Sequence, residues 1–536
     1  MDLRAEVENR RTFAIISHPD AGKTTLTEKL LLYGGAIVTA GQVAARKRAR
    51  SATSDWMELE RERGISITST VLQFPYHGRT INLLDTPGHQ DFGEDTYRTL
   101  LAADSAVMLI DAAKGVEPQT RKLFAICRAR RIPLFTFINK MDRPTRDPLE
   151  LLDELENVLG IGAYPVNWPL GGGETFKGVY DRETRELHTF DRTEHGAKRA
   201  PVSVGGVHDE KIRALVDEGT YKEFIDGIEL LEGAGAPFEH AAMMRGDVTP
   251  VFFGSAMTNF GVELFLERFV KMGPAPSVRL DMHETPVEPD DEAFSAFIFK
   301  IQANMDPRHR DRVAFARICS GKFERDMTVK NARTGKEVRL TRAMKLFASD
   351  RESIDVAYAG DVVGLANPGS FAIGDTLTSE SSTIQFPPIP AFEPEHFSLV
   401  RSIDTGSYKS FQKGIAQLRE EGAIQVFYPF GQTRTEPILA AVGALQFEVV
   451  KFRLESEYNV KTVMTSLPFA LARHVVGDPE AIASAQLPSN ARMVEDWDGM
   501  PLSLFESEWS MRLAGEWNPK LTFEPFGTRG LVAVAS

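Results

Sequence analysis

The segment from residue 13 to residue 32 limits the possible folds of this chain more than any other. Residues 13–16 form an apolar run that predicts a buried strand, and residues 26–32 predict a helix. Between them, residues 17–24 read Ser-His-Pro-Asp-Ala-Gly-Lys-Thr, a phosphate-loop pattern in which Ser17 replaces the usual first glycine. Serine is small enough to keep the turn. The pattern predicts an α/β domain that binds phosphates at a helix N-terminus, although a strand, turn and helix containing Gly-Lys-Thr can also arise by chance.

A phosphate loop binds its ligand mainly through backbone N–H groups that point inward. We expect Gly22 to let the backbone approach the phosphates closely and Lys23 to reach the β- and γ-phosphates. The hydroxyl of Thr24 is expected to ligate Mg²⁺.

A second motif, Asp-Thr-Pro-Gly-His at residues 85–89, follows a strand-like run at residues 80–84. This places Asp85 at the carboxyl edge of the sheet, where α/β proteins bind ligands, and predicts a role in the outer shell of the metal. Gly88 can offer its N–H to the γ-phosphate. His89 stands where nucleotide hydrolases place the residue that orients the attacking water. A lone histidine is usually structural, but the position next to Gly88 favours a catalytic role.

A third motif, Asn-Lys-Met-Asp at residues 139–142, follows the apolar run 132–138. Asp142 can accept hydrogen bonds from guanine N1–H and from the 2-amino group, and adenine lacks both donors. Sites of this kind discriminate by factors of roughly 10⁴–10⁵, so the sequence predicts GTP and not ATP as the ligand. Asn139 is expected to tie its loop to the phosphate loop, and Lys140 to lie along the base. Residues 254–256 (Gly-Ser-Ala) are expected to present N–H groups to guanine O6. This expectation rests only on their position in the chain, after the apolar run 250–253.

The predicted functional residues lie in these four segments. Those assigned to GTP binding are Ser17, His18, Pro19, Asp20, Ala21, Gly22, Lys23, Thr24, Thr25, Asp85, Thr86, Pro87, Gly88, His89, Asn139, Lys140, Met141, Asp142, Ser255 and Ala256. His89 is also the predicted catalytic residue. Thr24 and, in the outer shell, Asp85 are predicted for Mg²⁺.

Composition limits the remaining possibilities. A chain of 536 residues is too long for one hydrophobic core and should form about three domains. Cys127 and Cys319 are far apart in apolar segments, which excludes a disulfide framework and fits a cytoplasmic protein. The charged N-terminus does not resemble a signal peptide, and no apolar run of about eighteen residues could span a membrane. The net charge of −13 argues against non-specific binding to DNA or RNA.

Local basic runs occur at residues 46–50, 128–131 and 308–312. Each could dock on a ribonucleoprotein or could simply be a solvated charged surface.

The pattern of predicted secondary structure changes twice along the chain. Alternating strands and helices run to a Pro-rich linker at residues 274–277, and the long stretch after the third motif exceeds what a minimal nucleotide-binding domain needs. Short alternating strands from residue 293 predict a barrel, which a second linker at residues 386–390 closes. The predicted domains are therefore 1–278 (α/β, P-loop GTPase, with an insertion at about 160–250), 279–390 (β-barrel) and 391–536 (α+β).

These motifs, followed by a barrel, resemble the translational GTPases, the group that contains elongation factor G. Residues 11–20, 54–60, 74–77, 301–307 and 442–450 are similar to the class II release factors of bacteria, the family of peptide chain release factor three. Gln90, where Glu is usual, and Ser255, where Thr is expected, are small departures. The resemblance identifies residues 63–67 as switch I, in which Ser66 would ligate Mg²⁺ and sense the γ-phosphate.

The resemblance implies a GTP/GDP cycle with Mg²⁺ on the ribosome, at the region of the large subunit that activates GTPases. Ribosomal RNA would position His89, and the GTP-bound form would drive class I release factors off after peptide release. The implied protein is a cytoplasmic monomer that binds neither membranes nor DNA.

Three alternatives stay open. A translocase similar to elongation factor G would be expected to continue well beyond a third domain. A nucleotide-gated binding module with incidental hydrolysis is disfavoured, because Lys23, Asp85 and His89 are all present. A GTPase unrelated to translation, such as one that remodels membranes, is disfavoured by the lack of a lipid-facing stretch or lipidation motif.

Overall fold

The computed structural model describes residues 2–37, 67–191, 202–234, 237–303, 312–347, 350–367, 369–379 and 382–527. The predicted metal ligand Ser66 lies outside these ranges. So do residues 54–60, the basic run 46–50 and most of the basic run 308–312.

A mostly parallel sheet organises the first part of the chain. The strands here are β1 (Arg10–Ser17), β2 (Thr70–Tyr76), β3 (Arg79–Asp85), β4 (Ser105–Asp111), β5 (Leu134–Asn139), β6 (Gly162–Pro165), β7 (Asn167–Leu170), β8 (Gly178–Asp181), β9 (Glu186–Phe190), β10 (Val202–Gly205) and β11 (Val248–Phe253). Within the described ranges, seven of them form one sheet in the order β2-β3-β1-β4-β5-β11-β6. Of these seven, only β2 runs antiparallel to its neighbour.

Helices cover both faces of this sheet. The helices in this part of the chain, not all of which pack on that sheet, are Leu3–Glu8, Lys23–Tyr33, Gly93–Leu101, Pro118–Ala129, Pro148–Glu154, Glu210–Arg213, Glu218–Ala234, His240–Arg245 and Val262–Met272. Every residue of β1 is buried, and its side chains alternate between two apolar clusters, one on each face. This is the doubly wound arrangement that brings the carboxyl ends of the parallel strands to a common edge.

The stretch predicted as an insertion contains a small sheet of its own. Strands β7 to β10 pair antiparallel in chain order, and the helix Glu218–Ala234 packs against β7. The indole of Trp168 meets the ring of Phe253 at 5.5 Å between centroids, which attaches the small sheet to β11.

Short antiparallel strands follow, as the barrel pattern predicts. They are β12 (Arg279–Leu280), β13 (Pro286–Val287), β14 (Ser295–Ala303), β15 (Arg312–Ser320), β16 (Lys322–Glu324), β17 (Thr328–Asn331), β18 (Glu337–Arg339), β19 (Ala343–Phe347), β20 (Asp350–Ser353), β21 (Val356–Tyr358), β22 (Val362–Ala366) and β23 (Thr376–Thr378). The main sheet has the order β18-β17-β23-β14-β15-β22-β19-β20. Its apolar interior also takes in Val7 from the first helix.

The last part of the chain combines a sheet with helices. Its strands are β24 (His396–Ser402), β25 (Gln425–Pro429), β26 (Ile438–Ala441), β27 (Thr462–Leu467), β28 (Leu471–Val476), β29 (Ala491–Glu495), β30 (Pro501–Phe505) and β31 (Thr522–Pro525). The strand order is β27-β24-β26-β25-β29-β30-β28-β31. Its helices are Tyr408–Glu420, Leu445–Tyr458, Pro479–Ala483 and Glu508–Trp517. The first two pack on each other over one apolar cluster.

Cys127 and Cys319 are free, buried thiols. Of the helices that the structure describes, none combines the length and the apolar character needed to span a bilayer.

Buried ion pairs join the α/β part to the barrel. The guanidinium of Arg317 lies 2.6 Å from the carboxylate of Asp104, and both side chains are at most 1% exposed. Arg10 pairs with Asp361 at 2.7 Å, again with both side chains buried. Gly360 accepts hydrogen bonds from Arg317 and from the hydroxyl of Thr12, both at 2.7 Å. The barrel is thus fixed to the strand that leads into the phosphate loop.

Replacing Arg317 with alanine is expected to lower the free energy of unfolding by about 3 kcal/mol, because it removes the nearer of the two guanidinium groups that pair with the buried carboxylate of Asp104 and leaves only Arg279, at 3.5 Å. Chemical denaturation followed by circular dichroism measures the change. Arg401→Ala is the control, since Arg401 pairs with Glu436 on the surface and its loss should cost about 1 kcal/mol or less. Equal losses in the two variants would contradict the role given to burial.

Candidate nucleotide-binding site

The phosphate loop joins β1 to the helix Lys23–Tyr33 through two left-handed backbone positions. Asp20 has φ 65° and Gly22 has φ 99°. A Cβ atom at Gly22 would lie 2.4 Å from Nδ2 of Asn139. Glycine is therefore required here twice over, by its backbone conformation and by the side chain packed against it.

Lys23 and Asp85 meet at the phosphate end of the site. The Nζ atom of Lys23 lies 2.5 Å from Oδ1 of Asp85, and the two side chains are 7% and 2% exposed. The second carboxylate oxygen, Oδ2, is buried and has no hydrogen-bond donor among the described residues. The lysine has three N–H donors, so it can hold Asp85 and a phosphate oxygen at the same time.

Asn139 connects three loops. Its Nδ2 donates to the carbonyl of Ala21 in the phosphate loop at 2.9 Å. Its Oδ1 accepts from the N–H of Ala256 at 2.9 Å. The predicted tie between the third motif and the phosphate loop is therefore present in the structure, and residues 254–256 share it.

Lys140 is anchored by a residue that sequence reasoning missed. Its ammonium donates to the carbonyl of Asp20 at 2.6 Å and to the carboxylate of Asp111 at 2.8 Å. Burial alone would raise the pKa of Asp111, but the Lys140 ammonium and the N–H of Ala113 hold it below its usual value. Asp111 ends β4 directly after an apolar run, which is the same signal that marked Asp85 on β3.

The base end of the site differs from expectation in one respect. The sequence predicts that N–H groups of residues 254–256 lie at guanine O6. In the structure the N–H of Gly254 donates to the carbonyl of Ile138 at 3.0 Å, that of Ser255 to the carbonyl of Phe260 at 2.9 Å, and that of Ala256 to Oδ1 of Asn139. The side chain of Ser255, and not its N–H, contacts the predicted base-reading residue. Its hydroxyl donates to Oδ1 of Asp142 at 2.6 Å. Ser255 thus orients the carboxylate predicted to select guanine.

The second motif lies directly against the phosphate loop. The hydroxyl of Thr86 donates to the carbonyl of Ile15 at 2.6 Å, and the carbonyl of Pro87 accepts from Thr96 at 3.3 Å. A Cβ atom at Gly88 would be 3.6 Å from Cα of Pro19. His89 comes next and caps a 3₁₀ turn, Gln90–Phe92, with its imidazole one-third exposed.

These segments enclose one cleft of about 380 Å³. The residues along its wall are Ser17, His18, Pro19, Asp20, Gly22, Lys23, Thr24, Thr25, Gly88, His89, Lys140, Arg143 and Met257. Eleven of the twenty residues predicted for GTP binding therefore line the cleft. The others do not line it: Ala21, Asp85, Thr86, Pro87, Asn139, Met141, Asp142, Ser255 and Ala256. Arg143 and Met257 were missed, since nothing in their sequence context marked them. Met141 is instead fully buried beneath the site, where its N–H donates to Gly254.

The residues present fit a magnesium ion held mainly by nucleotide phosphates. Within the described ranges, no three His, Cys, Asp or Glu side chains are grouped closely enough to hold a metal by themselves. Mg²⁺ commonly keeps several waters and takes one or two protein ligands together with substrate phosphates. Among the residues that the structure describes, two groups suit that arrangement. They are the hydroxyl of Thr24 in the phosphate loop and Oδ2 of Asp85, which accepts no hydrogen bond from the described residues.

Comparison with known protein families gives three matches in chain order. The elongation factor Tu GTP-binding domain matches residues 8–275. Elongation factor G domain 2 matches residues 293–380, and the model described as class II release factor RF3, C-terminal domain, matches residues 386–515. The fold class predicted from the sequence, a P-loop GTPase domain followed by a β-barrel and an α+β domain, is confirmed.

Similar proteins span nearly the whole chain. Peptide chain release factor 3 of Gloeobacter violaceus is 58% identical over 522 residues, which cover 97% of this chain and 98% of that protein. The protein of the same name from Synechocystis sp. is 58% identical over 518 residues, covering 96% and 94%. A crystal structure of a protein from Thermus thermophilus has the same fold at a TM-score of 0.68 and 22% identity, covering 91% of this chain and 72% of the other. This chain belongs to the peptide chain release factor 3 family, the class II release factors among the translational GTPases.

Proposed function

We propose that this protein, in its GTP-bound form, drives class I release factors from the ribosome after peptide release, and that hydrolysis at His89 then lets it leave. The family already defines the coarser role: a guanine-nucleotide-binding hydrolase that acts on the ribosome in translation termination. The observation that carries the chemical part is the position of His89, next to Gly88 at the phosphate end of the cleft.

Each end of the cleft has a separate task. Lys23 and the loop amides would bind the β- and γ-phosphates, and Thr24 and Asp85 would hold Mg²⁺, which would offset the negative charge of the phosphate oxygens. At the other end Asp142, oriented by Ser255, accepts the two guanine donors. The remaining residues assigned to GTP binding from the sequence support these contacts from the same loops.

The exposure and position of His89 support a water-orienting role. Its ring is one-third exposed and directly follows Gly88, the residue proposed to contact the γ-phosphate. Hydrolysis removes the γ-phosphate, the ligand that would order two switch segments, switch I and the segment at Gly88, so both are then free to collapse. We assign the activation of His89 to the GTPase-activating region of the large ribosomal subunit.

The proposal extends to the domain organisation, the localisation and the oligomeric state of the protein. The domain boundaries are placed at residues 278 and 390, and the protein acts as a cytoplasmic monomer. Ser66 would complete the magnesium site from switch I, although it lies outside the described residues.

Asp142→Asn is expected to change the base preference from guanine to xanthine, because the amide can donate to the 2-oxo group of xanthine. Competition between GTP and XTP for the purified variant measures the change. Asp153→Asn, on an exposed position of the helix Pro148–Glu154, is the matched control. Unchanged preference for GTP in Asp142→Asn would remove this carboxylate from base recognition.

His89→Ala is expected to leave the affinity for GTP within a few fold and to slow ribosome-stimulated hydrolysis at least about a hundredfold, the low end of what one positioned group contributes. Nucleotide titration and single-turnover hydrolysis separate the two effects. The exposed His208 supplies a matched His→Ala control. If affinity falls together with the rate, His89 has a structural role instead.

The termination role predicts a specific defect in recycling. His89→Ala with GTP should still shorten the dwell time of a labelled class I release factor on a terminated ribosome, because that step uses the GTP-bound conformation. It should complete one round and then stay bound, since its switch segments cannot collapse. A translocase would instead move the messenger and transfer RNAs without affecting this dwell time. No shortening by either the wild type or the variant would contradict the proposed role in termination.

A further inference from the structure

Asp91, two residues after His89, contacts both the proposed catalytic histidine and the C-terminal part of the chain. Its Oδ1 lies 3.3 Å from Nδ1 of His89. Its Oδ2 accepts a hydrogen bond of 2.9 Å from the N–H of Leu445, a residue 354 positions away. Leu445 is the first residue of the helix Leu445–Tyr458, so the carboxylate lies at a helix N-terminus, where the backbone favours negative charge.

The fit between these two parts is close. A Cβ atom at Gly443 would lie 2.0 Å from Cγ of Asp91, so the carboxylate occupies space that only glycine leaves open. Beside it, Ile67, Phe92 and Val449 form a small apolar cluster between the α/β part and the C-terminal helix. The segment that carries His89 is thus docked on this helix by a hydrogen bond and by apolar packing.

We propose that Asp91 is a positioning residue for GTP hydrolysis, and that docking of the C-terminal helix on Asp91 sets the state of the His89 imidazole. This inference rests on the proposed role of His89. It adds that the hydrolytic site is complete only while the helix Leu445–Tyr458 is in place.

The chemistry follows from the two groups that Asp91 offers to one ring nitrogen. Its backbone N–H donates to Nδ1 of His89 at 3.2 Å, which places the proton of the neutral ring on Nε2. When the ring proton is on Nδ1 instead, Oδ1 of Asp91 can accept a hydrogen bond from Nδ1–H, which leaves the lone pair of Nε2 free to accept a hydrogen bond from water. The carboxylate therefore gives the ring access to the tautomer that a water-orienting role requires, and Leu445 holds the carboxylate in place.

Asp91→Asn separates the contact with Leu445 from the contact with His89. The amide oxygen of the new side chain can still accept from Leu445, and its NH₂ group then faces Nδ1 of His89 as a second donor, which excludes the tautomer with a free Nε2. Asp91→Asn and Asp91→Ala are both expected to lower the ribosome-stimulated rate constant for hydrolysis at least about tenfold. The affinity for GTP should stay within about threefold, because Asp91 does not line the cleft.

The contribution of docking is tested from the other side of the contact. Gly443→Ala is expected to lower the same rate constant at least about fivefold by displacing Asp91. Gly515→Ala, in the helix Glu508–Trp517, is the matched control, because its added methyl group has open space. If the effect passes through Asp91, Gly443→Ala should cause little further loss in the Asp91→Ala background.

The outcomes separate this inference from the proposed function. Binding of a fluorescent GTP analogue first shows which variants are folded, and Val449→Ala replaces Gly443→Ala as the docking variant if the latter does not bind. Slow hydrolysis by His89→Ala together with near-normal rates for both Asp91 variants would overturn the positioning role and leave His89 as the catalytic residue. Additive losses in the double variant, or a normal rate in the docking variant, would overturn the coupling. A normal rate for His89→Ala would overturn both proposals.

Discussion

The side chain of Asn139 is the contact on which the nucleotide site depends. Its amide group donates to the phosphate loop after β1 and accepts from the loop after β11. The loops at the carboxyl ends of these two strands are therefore fixed relative to each other. The same side chain fills the space beside Gly22. A carboxylate here could not donate to Ala21, and a shorter side chain would leave the two loops unconnected. Asn139 therefore links the phosphate and base ends of the cleft, together with Lys140, which donates to the phosphate loop at Asp20.

The sequence predicted what depends on local pattern, and the structure supplied what depends on partners distant in the chain. The strand and helix around Lys23, the strands that end at Asp85 and Asn139, and the fold class could all be predicted, because periodicity and motif spacing encode them. The contact of Asp91 with Leu445 and the ion pair of Arg317 with Asp104 join residues 354 and 213 positions apart. No local signal marks such pairs, since any surface carboxylate or arginine has the same sequence appearance.

The helix Gly93–Leu101, which continues the second motif, makes polar contacts with both other parts of the chain. Asp95 lies 3.7 Å from Lys300 of the barrel, and Arg98 donates to the carbonyl of Gly422 in the C-terminal part at 3.3 Å. Burial raises the pKa of Glu94 on the same helix, although Arg98 acts in the opposite direction. Moving this helix would expose or break several such contacts together, which favours two discrete arrangements over gradual displacement.

The two buried thiols make this protein well suited to site-specific labelling. Burial raises the pKa of Cys127 to about 12 and that of Cys319 to about 11. Alkylating reagents attack the thiolate, so at neutral pH both native cysteines are protected by enclosure and by protonation. A single cysteine introduced on the surface would therefore carry nearly all of a maleimide dye. Fluorescence from such a molecule would report on one chosen position without removal of either native cysteine.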